Sequence, residues 1–177
     1  DNFDEAIPYF RKALKINAES FDSYFGLGSC YFNKNEYEKA LDLFKKGLEI
    51  NSHHAQLWFS RADTEQAMNL LEEAYASYLK VIEIEPENFE AHFDLGCLQL
   101  DTYLFDEALK SFDRVIELHP GWAEVYYEKA KLYFLLEDMD KAIEMIESAF
   151  KVKPEDRFEY DFGNDWEKIV EFLVSRQ

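Results

Sequence analysis

The sequence predicts an all-α fold in which a two-helix unit recurs every 34 residues. Three observations carry that reading. The 177-residue chain matches itself when displaced by 34 positions. Its recurring apolar positions stand three and four residues apart, the spacing of one helical face. Only six glycines and four prolines interrupt it, too few for a protein of short strands and tight turns.

One helix of the unit shows most clearly. Ala6, Ala40, Ala74, Ala108 and Ala142 fall on one line. Four residues later stands a large side chain in Phe10, Phe44, Tyr78, Phe112 and Ile146. Three further on come Ala13, Gly47, Val81, Val115 and Ala149, and three before the alanine Phe3, Tyr37, Leu71, Phe105 and Met139. A second helix precedes this one in each full unit. It carries Leu27-Gly28, Arg61-Ala62, Leu95-Gly96 and Lys129-Ala130, with Tyr24, Trp58, His92 and Tyr126 three residues ahead of each pair. Ser52, Pro86, Pro120 and Pro154 close the units, and proline there cannot continue a helix. Small residues let neighbouring helices approach, and the large ones fill the gap beside them.

These residues resemble the tetratricopeptide-repeat pattern, W-x2-L-G-x2-Y followed by A-x3-F and a terminal proline over 34 positions. The resemblance runs through residues 3–156 and implies a right-handed α-solenoid of antiparallel helix pairs. Residues 1–20 then form the second helix of a truncated unit. Full units follow at 21–54, 55–88, 89–122 and 123–156, with a capping segment at 157–177. The chain reads as a fragment of a longer array. In the last segment Asn164 or Asp165 can cap a helix from Trp166 to about Ser175, whose apolar residues would cover the final unit. The departures from the pattern are local. Arg61, Glu65 and Gln99 take apolar positions, and Pro8 is expected to kink or shorten the first helix.

Charge narrows the partners. Lysine and arginine number 19 against 37 acidic residues, a net charge of −18. Such a surface repels nucleic-acid phosphates and anionic lipid, and attracts basic segments. No run reaches the length of a membrane span and no signal peptide is visible, which points to a cytoplasmic protein. Cys30 and Cys97 lie far apart and read as buried thiols.

No catalytic constellation emerges. His53 and His54 are adjacent and cannot share a helical face, His119 precedes a closing proline, and His92 sits on a packing line. No phosphate-binding glycine loop or nucleophile elbow is present. The sequence therefore predicts no enzyme, no metal and no cofactor.

In tetratricopeptide proteins the first helix of each unit lines the concave face, where partners bind as extended peptides or helices. That resemblance directs attention to Phe25, Phe59, Phe93 and Tyr127 at the fifth position, with Phe32, Leu100 and Phe134 at the twelfth. Charge on this face is one-sided. Asp22, Asp63, Glu90, Asp94, Asp101, Glu124 and Glu128 are acidic, and Lys131 is basic. The expected partner-binding set is Phe25, Phe59, Phe93, Tyr127, Asp63, Asp94, Glu128 and Phe134, taking a basic peptide with apolar anchors. The same aromatics could instead only pack against neighbouring helices. The family's carboxylate clamp, which needs Lys, Asn and Arg, would fall at Phe25, Ser29, Ser60, Glu90 and Asp94, so binding of an acidic C-terminal tail is disfavoured. Two other readings remain: a self-assembling or spacer module joined through its exposed ends, and a regulatory region of an enzyme whose catalytic domain lies elsewhere.

Overall fold

Helices of two alternating lengths follow one another along the computed structural model, which describes residues 3–153. The segment expected to cap the array lies outside those residues. The elements are α1 (Phe3–Ile16), α2 (Phe21–Asn33), α3 (Tyr37–Ile50), α4 (Ala55–Ala67), α5 (Leu71–Ile84), α6 (Phe89–Asp101), α7 (Phe105–Leu118), α8 (Ala123–Leu135) and α9 (Met139–Val152). Odd-numbered helices have 14 residues and even-numbered ones 13, as a strict repeat requires. The described residues contain no strand. Pro8 does not shorten α1: the helix runs its full 14 residues with the proline inside it.

The chain divides into two compact units, Asp1–Ala91 and His92–Gln177. In the first, α2 packs on α3 and α4 on α5 as antiparallel pairs. The core gathers Leu27, Tyr31, Ala40, Phe44, Leu48 and Leu57, with Ala55, Val81 and Ala91 beyond them. In the second, α8 packs on α9 around Ala123, Tyr127, Ala130, Ile146 and Ala149. The alternation of sizes has a direct physical cause. The Phe44 ring lies so close over Gly28 that a Cβ there would stand 2.6 Å from its Cε1, and Phe112 bears the same relation to Gly96. The alanine line Ala40, Ala74, Ala108 and Ala142 has no accessible surface.

Polar substitutions within the core come in matched partners. Glu65, 1% exposed, accepts hydrogen bonds from Ser77 Oγ at 2.6 Å and Arg61 Nε at 2.7 Å. One repeat later, Gln99 Oε1 accepts from Ser111 Oγ at 2.7 Å. A buried carboxylate or amide is tolerated only with such partners.

Each even-numbered helix ends in a shared turn. A residue with positive φ follows at Asn35, Asn69, Tyr103 and Glu137, all near 60°. The next N–H reaches back to the carbonyls of Tyr31, Glu65, Gln99 and Tyr133 at 2.8–2.9 Å, the pattern of a Schellman motif. Asparagine suits the left-handed region, whereas other side chains cost about 1–2 kcal/mol there. Glu137→Asn, which copies Asn35 and Asn69, should therefore stabilise the fold by about 1 kcal/mol in thermal unfolding.

Candidate functional site

The even-numbered helices carry every residue expected to bind a partner, and their caps fix where each begins. Ser20 Oγ accepts from Ser23 N at the start of α2, and Asn88 Oδ1 accepts from Ala91 N at the start of α6. At α4 the cap is a histidine, with His54 Nδ1 accepting from Leu57 N at 3.3 Å. An unprotonated Nδ1 is needed for that bond. Behind the caps, Trp58 Nε1 donates to Ser52 O at 2.8 Å and Tyr126 Oη to Pro120 O at 3.0 Å. The fourth position of a unit thus ties down the loop that precedes it.

The fifth-position aromatics meet a fixed partner. Phe25 contacts Phe44, Phe59 contacts Tyr78 and Phe93 contacts Phe112, with ring centroids 6.3, 5.8 and 6.1 Å apart. Phe25 also stands 6.3 Å from the His54 ring, and Phe93 lies 4.5 Å from Trp122. All three phenylalanines remain half-buried and keep some surface. Tyr127 does not. It has no accessible surface and packs on Phe150, so its ring belongs to the core rather than to a binding face. Leu100, at 8% exposed, is likewise a core residue, while Phe134 is half-buried against the α8–α9 cluster.

The acidic residues fall into two groups. In the first unit the Asp63 carboxylate is half-buried, with Tyr78 Oη donating to its Oδ1 at 2.8 Å. The same hydroxyl lies 3.0 Å from Gln66 Oε1. Burial raises the Asp63 pKa to about 6, the Tyr78 bond opposes the rise, and the charge of Glu90 adds to it. In the second unit Cys97 is the centre of the group. Burial pushes its thiol upward, and Glu128, Asp94 and Asp101 push it further, with Lys131 opposing them. Lys131 Nζ is itself held by Glu128 at 2.7 Å. Three carboxylates from α6 and α8, with Lys131 opposing them, therefore act on one spot. A thiol in that field stays protonated and is a poor nucleophile.

Asp22, Glu90 and Glu124 stand exposed on first helical turns. Among the described residues no group of three or more His, Cys, Asp or Glu side chains could hold a metal ion, and no helix is long and apolar enough to cross a membrane. Sequence reading missed the part played by Cys97. Its spacing of three from Asp94 and four from Asp101 places all three on one helical face, a signal that was present.

Tetratricopeptide-repeat family models match residues 1–20 with 55–88, 21–54, 77–110 and 99–161. The chain belongs to the tetratricopeptide-repeat family. It is a helical-repeat protein–protein interaction module, in which fold and family agree with the all-α solenoid read from the sequence. No curated protein sequence matches this repeat protein. Among solved structures, it resembles MamA with a TM-score of 0.83 at 19% identity, over 90% of this chain and 92% of that one. It resembles YrrB, described as a tetratricopeptide-repeat protein with an unusual peptide-binding site, with a TM-score of 0.76 at 27% identity over 86% and 79% of the two chains. Pseudomonas aeruginosa PilF matches at 0.77 and 22% identity, over 85% of this chain and 69% of PilF.

Proposed function

We propose that this repeat protein is a non-catalytic adaptor holding a basic, partly apolar segment of a partner against the exposed faces of its even-numbered helices. The observation that carries this reading is the convergence of Asp94, Asp101 and Glu128 on the Cys97 position, with Lys131 opposing them. A lysine or arginine of the partner would be attracted to Asp94 and Glu128, both half-buried, where ion pairs are less screened than at the open surface. Phe93 keeps accessible surface on the same helix, and Phe25 and Phe59 repeat that arrangement in the first unit. Aromatic faces of this kind also attract cations, by about 0.5–2 kcal/mol each. The similarity to YrrB, whose description includes a peptide-binding site, supports a peptide ligand.

Calorimetric titration with lysine-containing peptides bearing leucine or phenylalanine anchors tests the reading. Asp94→Lys should weaken binding by about ten-fold or more, because it turns an attraction into a repulsion. Phe59→Ala should weaken it less, since that ring already packs edge-on against Tyr78. Undiminished affinity in both variants, with helicity intact, would remove the proposal.

A further inference from the structure

An open groove in the first unit is lined by α1, α2 and α3, with a volume of about 410 Å³. Arg11 comes from α1, Leu27 and Tyr31 from α2, and Glu38, Lys39, Asp42 and Leu43 from α3. Its floor is apolar, since Leu27 and Tyr31 are 4% and 6% exposed and Leu43 is half-buried. The repeat varies at the position that floors this groove, with leucine kept at Leu95 in the third full unit. The position of Leu27 is taken by Arg61 in the second full unit and by Lys129 in the fourth. There the long side chains form ion pairs, Arg61 with Glu65 along α4 and Lys129 with Asp113 on α7. Lys129 also covers the Tyr133 ring, which corresponds to Tyr31. Leucine is too short to do this.

The donors around Tyr31 decide what the groove fits. Arg11 Nη2 donates to Tyr31 Oη, and Lys39 Nζ stands 5.2 Å from the Tyr31 ring centroid. Arg11 has no carboxylate within ion-pair distance among the described residues, so its remaining N–H groups face no anion. Tyr31 accepts from Arg11, which leaves its own hydroxyl proton for another acceptor. Of the two acids in the lining, Asp42 is paired with Lys46 at 2.6 Å, and Lys39 is paired with Glu36. Among the described residues Glu38 has no cation in ion-pair range, and it suits an amide or cationic end of an occupant.

We infer that this groove is a second docking surface, for a partner segment that places a bulky apolar side chain over Leu27 and Leu43 and a neighbouring carboxylate against Arg11 and Tyr31. Its preference is opposite in sign to that of the inner face, so one module can hold two chemically distinct segments at once.

The blocked dipeptide acetyl-Phe-Glu-amide is a suitable probe, followed by amide chemical-shift mapping on the whole chain. Saturable shifts should appear at Arg11, Tyr31, Lys39 and Leu43. Leu27→Lys, which copies the fourth unit, should abolish them. Arg11→Ala, at an exposed position that leaves the packing intact, should weaken binding about ten-fold, the worth of a charge-assisted hydrogen bond. Substituting glutamine for glutamate in the probe should have a comparable effect. Shifts confined to α4, α6 or α8, no saturable shifts at all, or affinity unchanged in both variants would each overturn the inference.

Discussion

Arg61→Leu should destabilise the protein by about 3–5 kcal/mol, the cost of leaving one member of a buried ion pair without its partner. Glu65 is 1% exposed, and Arg61 Nε at 2.7 Å is its ionic partner. Removing that cation leaves, among the described residues, only the Ser77 hydroxyl donating to the carboxylate. The adjacent repeat shows how the loss can be repaired, because it holds Leu95, Gln99 and Ser111 at the equivalent positions. Gln99 takes the serine hydrogen bond as a neutral amide. The double variant Arg61→Leu with Glu65→Gln should therefore recover most of the lost stability in urea unfolding. A double variant as weak as the single one would show that the two repeats do not share one packing logic. Replacing Ser77 alone should cost less, since Arg61 remains.

Asp63→Asn should stabilise the protein at pH 8 by up to about 3 kcal/mol, and the gain should vanish as the pH falls to about 4. The sign follows from the direction of the shift. Burial raises the folded-state pKa to about 6 from a reference of 3.8, so the folded chain takes up this proton before the unfolded chain does. Above about pH 6 the wild type carries the full penalty of a buried charge. As pH falls from 6 toward 3.8 that penalty is relieved, and stability from this group rises. Asparagine keeps an acceptor for Tyr78 and has no charge to bury. Comparing thermal unfolding of the two proteins from pH 4 to 8 isolates this group. A difference that does not change with pH would contradict the account.

The fold was legible because the repeat states its packing five times. Ala40 and Ala74 lie on one line, Phe44 and Tyr78 on the next, and each line fulfils the same steric role. The pairing of Glu65 with Ser77 was not legible, since a polar residue at an apolar position announces an exception without naming its partner. Tyr127 shows a different limit. Its line also contains Phe25, Phe59 and Phe93, and nothing in the residue itself says that its ring alone loses all accessible surface. That depends on Phe150 and the α9 residues around it, including Ile146 and Ala149. The groove lined by α1, α2 and α3 was hidden for a similar reason. It is floored by an ordinary leucine at position 27, the place that Arg61 and Lys129 take in other units.

Charge preference at the inner face is the central claim, and one comparison tests it directly. Two peptides sharing the same apolar anchors, one lysine-rich and one glutamate-rich, can be titrated against the chain carrying Leu27→Lys, which closes the groove lined by α1, α2 and α3. The account predicts that the lysine-rich peptide binds at least about ten-fold more tightly, and that Asp94→Lys with Glu128→Lys erases or reverses the preference. Equal affinities for the two peptides, or a preference that survives both charge reversals, would contradict it.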